Sequence, residues 1–139
     1  PSNQLLTDNA IINPVQRFHN TGLDPLQNPF TGKAEYTNNP MDNGKFKTPS
    51  LRNLAFTAPY MHDGRFQTLD EVIEFYDKGV VLNDNLDFVM VKDPTQTRTF
   101  EGGKRQLNLT PQEKADLKAF LLTLTDSSLI TIPKLSDPD

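Results

Sequence analysis

Side chains of ligand-type or redox-relevant chemistry in this sequence include His19, Met61, His62 and Tyr76, with Asp63 beside His62. Imidazole, thioether, phenol and carboxylate can each bind a metal, whereas the 139 residues contain no cysteine and only two histidines. A zinc site would need three or four ligands, so His19 and His62 would have to recruit carboxylates such as Asp63 or Asp70. No H-E-x-x-H spacing supports that. A metal-dependent hydrolase built on His62, Asp63 and His19 is therefore the weakest reading of these residues. No Ser-His-Asp arrangement and no phosphate-cradling glycine loop is present either. On residue type alone, both histidines read as hydrogen-bonded loop residues, and Tyr76 as a core tyrosine closing an apolar helical stripe.

Two capped helices are the elements that must position these groups. Thr68 with Glu71 and Thr110 with Glu113 each make an S/T-x-x-E capping box. After the first, Leu69, Val72, Ile73 and Tyr76 fall at i, i+3, i+4 and i+7, and Gly79 is placed to end the helix. After the second, Pro111 occupies the first helical position and Leu117, Phe120, Leu121 and Leu124 repeat the pattern. Thr48 and Pro49 are expected to open a short helix through Leu54. Residues 1–44 show no sustained period and read as loop with a short helical turn. The 80–106 stretch, with its exposed-looking VVLNDNLDFVMVKD, reads as a surface loop. Eleven prolines and seven glycines in 139 residues imply long ordered loops around a small helical core.

Composition narrows the function classes. A net charge of −4, with 14 basic residues scattered among 18 acidic ones, lacks the clustered basic surface that nucleic acid requires. No apolar stretch approaches the roughly 20 residues that span a bilayer. Hydrophobic content of 35% fits one soluble domain that needs a further staple. The absence of cysteine is compatible with either an oxidising or a reducing compartment.

The run Gly44 to Gly79, GKFKTPSLRNLAFTAPYMHDGRFQTLDEVIEFYDKG, resembles the C-terminal haem domain of the bacterial di-haem cytochrome c peroxidase and MauG family. LLTDNAIINPVQRFHNTGLD (5–24) and LNLTPQEKADLKAFLLTLTD (107–126) resemble segments on either side of it in that family. The resemblance covers nearly the whole chain and is weakest over 80–106. It implies a mainly α, cytochrome c-like domain of short helices and long ordered loops over 1–139, with 126–139 an extended tail. The family's covalent haem needs a C-x-x-C-H motif. Its absence is read as truncation before or within the first helix.

The resemblance also assigns roles. Tyr76 stands where the family places the axial ligand opposite the attachment histidine, as in MauG-type proteins, where di-haem peroxidases usually carry methionine. A phenolate favours ferric and higher-valent iron, so tyrosine points to a centre that stores oxidising equivalents. Met61 is read as pocket lining, His62 and His19 as hydrogen-bonding to a propionate or ligand, and Arg52, with Lys47 weaker, as propionate partners. Thr57 and Pro59 would offer backbone carbonyls to calcium, weakly in a lone domain. In cytochrome c folds the closing helix packs on the helix carrying C-x-x-C-H; without it, the Leu117 to Leu124 stripe must find another surface or stay exposed. The implied parent is a periplasmic or exported, peroxide-dependent oxidoreductase whose partners are its own N-terminal haem domain and a small redox protein or protein substrate. This chain alone is expected to be inactive. The alternative is a haem-free cytochrome c-like binding or interaction module.

Overall fold

The computed structural model describes residues 18–25, 31–91, 103 and 106–128. The start of the 5–24 segment, residues 92–102 of the 80–106 stretch and the end of the tail lie outside them. The described residues are mostly helical with few strands. They fall into two compact units, one made of 18–49 with 78–107 and the other of 50–77 with 108–128.

In the first unit, β1 (Phe18–His19) and β2 (Phe46–Lys47) pair antiparallel, Phe18 opposite Lys47 and His19 opposite Phe46. Between them runs the four-residue helix α1 (Ala34–Thr37), stopped by Asn38 at φ 52°, a left-handed conformation that asparagine tolerates. Asn39 then caps a 3-10 turn over Pro40–Asp42 by accepting the Met41 N–H. Buried Asp42 ties this excursion together, accepting from Lys33 at 3.0 Å, Thr37 at 3.0 Å and Lys45 at 3.3 Å. The Lys33 hydrogen bond is the main cause holding its carboxyl below the usual range. Burial opposes this, and Thr37 and Lys45 add to it.

The VVLNDNLDFVMV stretch is exposed only in part: Val81, Leu82 and Val89 are exposed as expected, whereas Val80 and Val91 are each 2% exposed and Leu86 is buried with them. No period marks these positions as interior. A polar network sets their place instead. Asn20 and Asn83 exchange amide hydrogen bonds at 3.2 and 3.3 Å, and the Asn20 backbone carbonyl accepts the Asp87 N–H. Val81 N–H reaches the Gly22 carbonyl at 2.7 Å. Gly22, at φ 72°, is required there, since a Cβ would come within 2.6 Å of the Val81 oxygen.

In the second unit the expected 48–54 helix does not form. The Ser50 hydroxyl accepts the Arg52 N–H, a local turn that competes with helix, and Asn53 is left-handed at φ 60°. A 3-10 turn comes next, at Leu54–Phe56. The chain then doubles back, with Tyr60 bridging Phe66. Helix α2 (Leu69–Glu74) starts at the Thr68 capping box, and α3 (Pro111–Thr123) at the Thr110 box with Pro111 first, both as the sequence implies. Buried Leu69 and Ile73 sit on the expected stripe. After Glu74, however, α2 does not continue as α-helix to Gly79. It widens into a π-helical turn, Phe75–Gly79.

The contact between α2 and α3 is electrostatic. Asp70, Glu74 and Asp77 on one side meet Lys118 and Lys114 on the other: Lys118 pairs with Asp70 at 2.5 Å, and Lys114 with Asp77 at 2.7 Å and with Glu74. The α3 C-terminus is held by Asn53, whose N–H donates to the Leu124 carbonyl and whose side chain accepts the Asp126 N–H.

Candidate functional site

Tyr76 lies half-buried within the π-helical turn of the second unit. Such turns are rare, insert as single turns into α-helices and are frequent at functional sites, because the extra residue per turn rotates a side chain off the regular stripe. Both neighbours of Tyr76 are fixed. Phe75 is buried, its ring 5.8 Å from Phe66 and in edge contact with Tyr76 at 5.1 Å. Asp77 is 0% exposed; its Oδ1 accepts the Leu109 N–H at 3.1 Å, and its Oδ2 lies 2.7 Å from Lys114 Nζ.

The TAPYMHDG segment forms the turn that ends at Phe66. Met61 is half-buried at φ 71°, a conformation uncommon for a residue with a side chain and enriched at binding and switch sites. Gly64 N–H returns to the Met61 carbonyl at 3.2 Å, and the Tyr60 hydroxyl donates to the Leu54 carbonyl at 2.6 Å. His62 is exposed. Asp63 pairs with Arg65 at 2.6 Å, and hydrogen bonding from that guanidinium is the main cause holding its carboxyl below the usual range. Arg52, Thr57 and Pro59 are exposed. The carbonyls of Thr57 and Pro59 would be two of the six to eight oxygens that calcium takes.

His19 and Lys47 belong to the first unit. His19 sits on β1 with its Nδ1 2.5 Å from Asp87 Oδ2, so one ring nitrogen already has a carboxylate partner. Lys47, opposite Phe18 on β2, is exposed. The second unit thus holds Tyr76, Met61, His62, Arg52, Thr57 and Pro59, and the first holds His19 and Lys47.

The second unit also leaves apolar side chains uncovered. On α3, Phe120 is 58% exposed and Leu117 is exposed with it, while Leu121 and Leu124 are half-buried. Successive residues turn by about 100°, so Lys114, Lys118 and Leu121 share the face toward α2, while Leu117 and Phe120 lie to one side of it. Leu51 and Phe56 are exposed as well. Of the two outcomes open to the closing helix's stripe, exposure is the one found for its outer half.

These features fit haem in part. A half-buried phenol on a braced turn is a suitable axial donor, and uncovered aromatic and aliphatic groups are the surface an apolar macrocycle would cover. The thioether attachment is not supplied here, since no cysteine occurs in the 139 residues.

Sequence reasoning missed Asp77, Lys114, Phe66 and Phe75 as supports of the site. A signal was present: Asp70, Glu74 and Asp77 at i, i+4 and i+7, and Lys114 and Lys118 at i and i+4, make two helical stripes of opposite charge.

No family model matches the chain. It is 42% identical over 91 residues to "Cytochrome-c peroxidase IdrP1" of Pseudomonas sp. strain SCT, covering 66% of this chain and 20% of that protein. It is 36% identical over 119 residues to "Methylamine utilization protein MauG" of Methylorubrum extorquens, covering 85% of this chain and 30% of that protein. A crystal structure of a MauG-like protein associated with microbial copper homeostasis superposes with a TM-score of 0.66 at 42% identity, over 87% of this chain and 36% of the other. The chain spans between 20% and 32% of the length of the first such relatives. Its homologues, in sequence and in fold, are the cytochrome c peroxidase and MauG proteins, and it belongs among them.

Proposed function

We propose that this chain is the Tyr76-bearing part of a haem c domain in a longer, di-haem peroxidase or MauG-like oxidoreductase. The observation that carries the reading is Tyr76, half-buried on a π-helical turn between two fixed neighbours, in a unit with uncovered apolar side chains. Tyr76 would be the ligand to the iron, Met61 would line the pocket, and Arg52 and His62, both exposed, would meet propionates or solvent-side ligands. Haem bound there supplies one-electron chemistry, with hydrogen peroxide as oxidant in the parent protein. The chain's own part is to hold the phenol, shield one haem face from water and carry the surrounding charge.

His19, engaged with Asp87, and Lys47 are weaker candidates for the haem edge. Calcium at the Thr57 and Pro59 carbonyls would need its remaining oxygens from the rest of the parent protein. The partners are the parent's second haem domain and a small redox protein or protein substrate, in the periplasm or outside the cell. The chain by itself lacks an attachment site and has no turnover of its own.

A haem-free interaction module is the second reading, favoured by the exposed Leu117 and Phe120. One experiment separates the two. The natural full-length protein is purified from its source, its covalent haem counted by pyridine haemochrome, and the iron ligation of wild type and Tyr76→Phe compared by resonance Raman. Two covalent haems, and a phenolate signature lost in the variant, support the oxidoreductase. Absence of covalent haem leaves the interaction module; haem with an unchanged signature overturns Tyr76 as ligand.

A further inference from the structure

We propose that Asp77 and Lys114 are positioning residues for Tyr76: their ion pair holds the π-helical turn that sets where the phenol points. The inference rests on the reading of Tyr76 as an iron ligand, and it concerns how the protein keeps that ligand in place.

A π-helical turn is less favourable than the α-helix it interrupts and persists only where its surroundings over-determine it. α2 has no proline or internal glycine to force the change before Gly79. Directly after Tyr76 stands a carboxylate with no exposed surface and two partners from different directions. Its Oδ1 takes the Leu109 N–H at 3.1 Å, and its Oδ2 lies 2.7 Å from Lys114 Nζ in an ion pair. Leu109 directly precedes the Thr110 cap of α3 and Lys114 lies in its first turns, so both partners hang from one braced helix start, with Glu113 Oε2 accepting the Thr110 N–H at 2.8 Å. A hydrogen bond to one carboxylate oxygen and a charge held against the other, both from one rigid element, keep the Asp77 side chain and hence the backbone of the turn in place.

Stability alone does not explain this pair. Removing two charges from water costs about as much as their attraction returns, so well-packed apolar residues would join two helices as firmly. The pair keeps a charged carboxylate inside, where the Leu109 N–H orients it, one residue from a phenol whose other neighbour, Phe75, is held between Phe66 and Tyr76 itself. Glu74 shares Lys114 but is exposed and lies one residue before the turn, which makes it an internal control.

The test uses the haem-loaded full-length protein, with the phenolate–iron charge-transfer band and resonance Raman modes as one readout and amide hydrogen exchange over 75–79 as the other. Asp77→Asn and Lys114→Gln should each weaken and shift the band, and should speed exchange over 75–79 about tenfold or more, the scale of leaving one buried polar group unpaired. Lys114→Arg, which keeps the charge, should restore the band, and Glu74→Gln should leave it as in wild type. If the single variants do not accumulate folded, Asp77→Asn/Lys114→Gln leaves no unpaired charge buried and should show the same altered band. A wild-type band in folded Asp77→Asn and Lys114→Gln, with Tyr76→Phe abolishing it, overturns the positioning role alone. A band unaffected by Tyr76→Phe overturns the ligand reading, and the inference falls with it.

Discussion

The two compact units spend their side chains differently. The first buries Val80, Leu86 and Val91 around a core of reciprocal asparagine amides, and its one buried carboxylate among the described residues is surrounded by two lysines and a threonine. The second joins its helices through charge pairs, and both units leave apolar side chains exposed, Tyr36, Met41 and Leu107 in the first and Phe120, Phe56 and Leu51 in the second. Exposed apolar groups do not separate the units; the kind of polar contact does, reciprocal amides within the first and ion pairs between helices in the second. The proposed haem contact is assigned to the second unit through Tyr76 on its π-helical turn.

The sharpest way to break this contrast is to spoil the first unit's interior. Gly22→Ala would place a methyl 2.6 Å from the Val81 oxygen and 2.7 Å from Leu86 Cδ1 and Val80 Cγ1, at φ 72°. The expected loss is about 3 kcal/mol, combining overpacking with left-handed strain, read as a lower urea midpoint with exchange rising first over 80–91. Unchanged stability would mean the first unit is not the packed body described. Asn83→Ala should cost about 1 kcal/mol, since Asn20 loses its exchange with Asn83 but keeps the Asn43 carbonyl and the Gly22 N–H; a double-mutant cycle with Asn20→Ala should show coupling if the two amides act as a pair.

Acid and alkali probe the two units with opposite signs. Asp42 has its folded pKa depressed, chiefly by the Lys33 hydrogen bond, so its contribution is complete above the ordinary 3.8 and is lost as pH falls through the lower folded value. Exchange over 31–45 should rise on that limb, and Asp42→Asn should remove the pH dependence. Lys114 is raised, by hydrogen bonding to Asp77 first and Glu74 second, so its contribution is complete below 10.5 and is lost as pH rises through the higher folded value. Helical ellipticity should fall there in wild type. The two capping glutamates, Glu71 and Glu113, are depressed chiefly by the N–H groups of Thr68 and Thr110, so acid should also fray the starts of α2 and α3.

The smallest expected change is the most diagnostic. Phe120→Gln should leave the stability of this chain within about 0.5 kcal/mol, as for other exposed positions, yet lower haem retention in the full-length protein. A large loss in the chain alone would show that the α3 face is already covered.

The family resemblance and both helix starts were legible in the residues, because a capping box is completed within four positions and a motif is local by nature. The 48–54 helix failed because two side-chain effects, the Ser50 turn and left-handed Asn53, outweigh a favourable start. The 80–91 stretch was misjudged because its apolar residues have no period; their burial depends on an amide pair 63 residues apart in sequence.

By itself the sequence determined where α2 and α3 begin and that no thioether attachment can occur within these residues. Tertiary structure decided that α2 widens to a π turn at Tyr76 and that Asp77 is buried. It also decided that Lys114 and Lys118 of α3 meet Asp77 and Asp70. The reason is physical: a helix start is set by neighbours along the chain, whereas the Asp77 carboxylate is satisfied by an amide 32 residues away, and only the folded chain brings the two together.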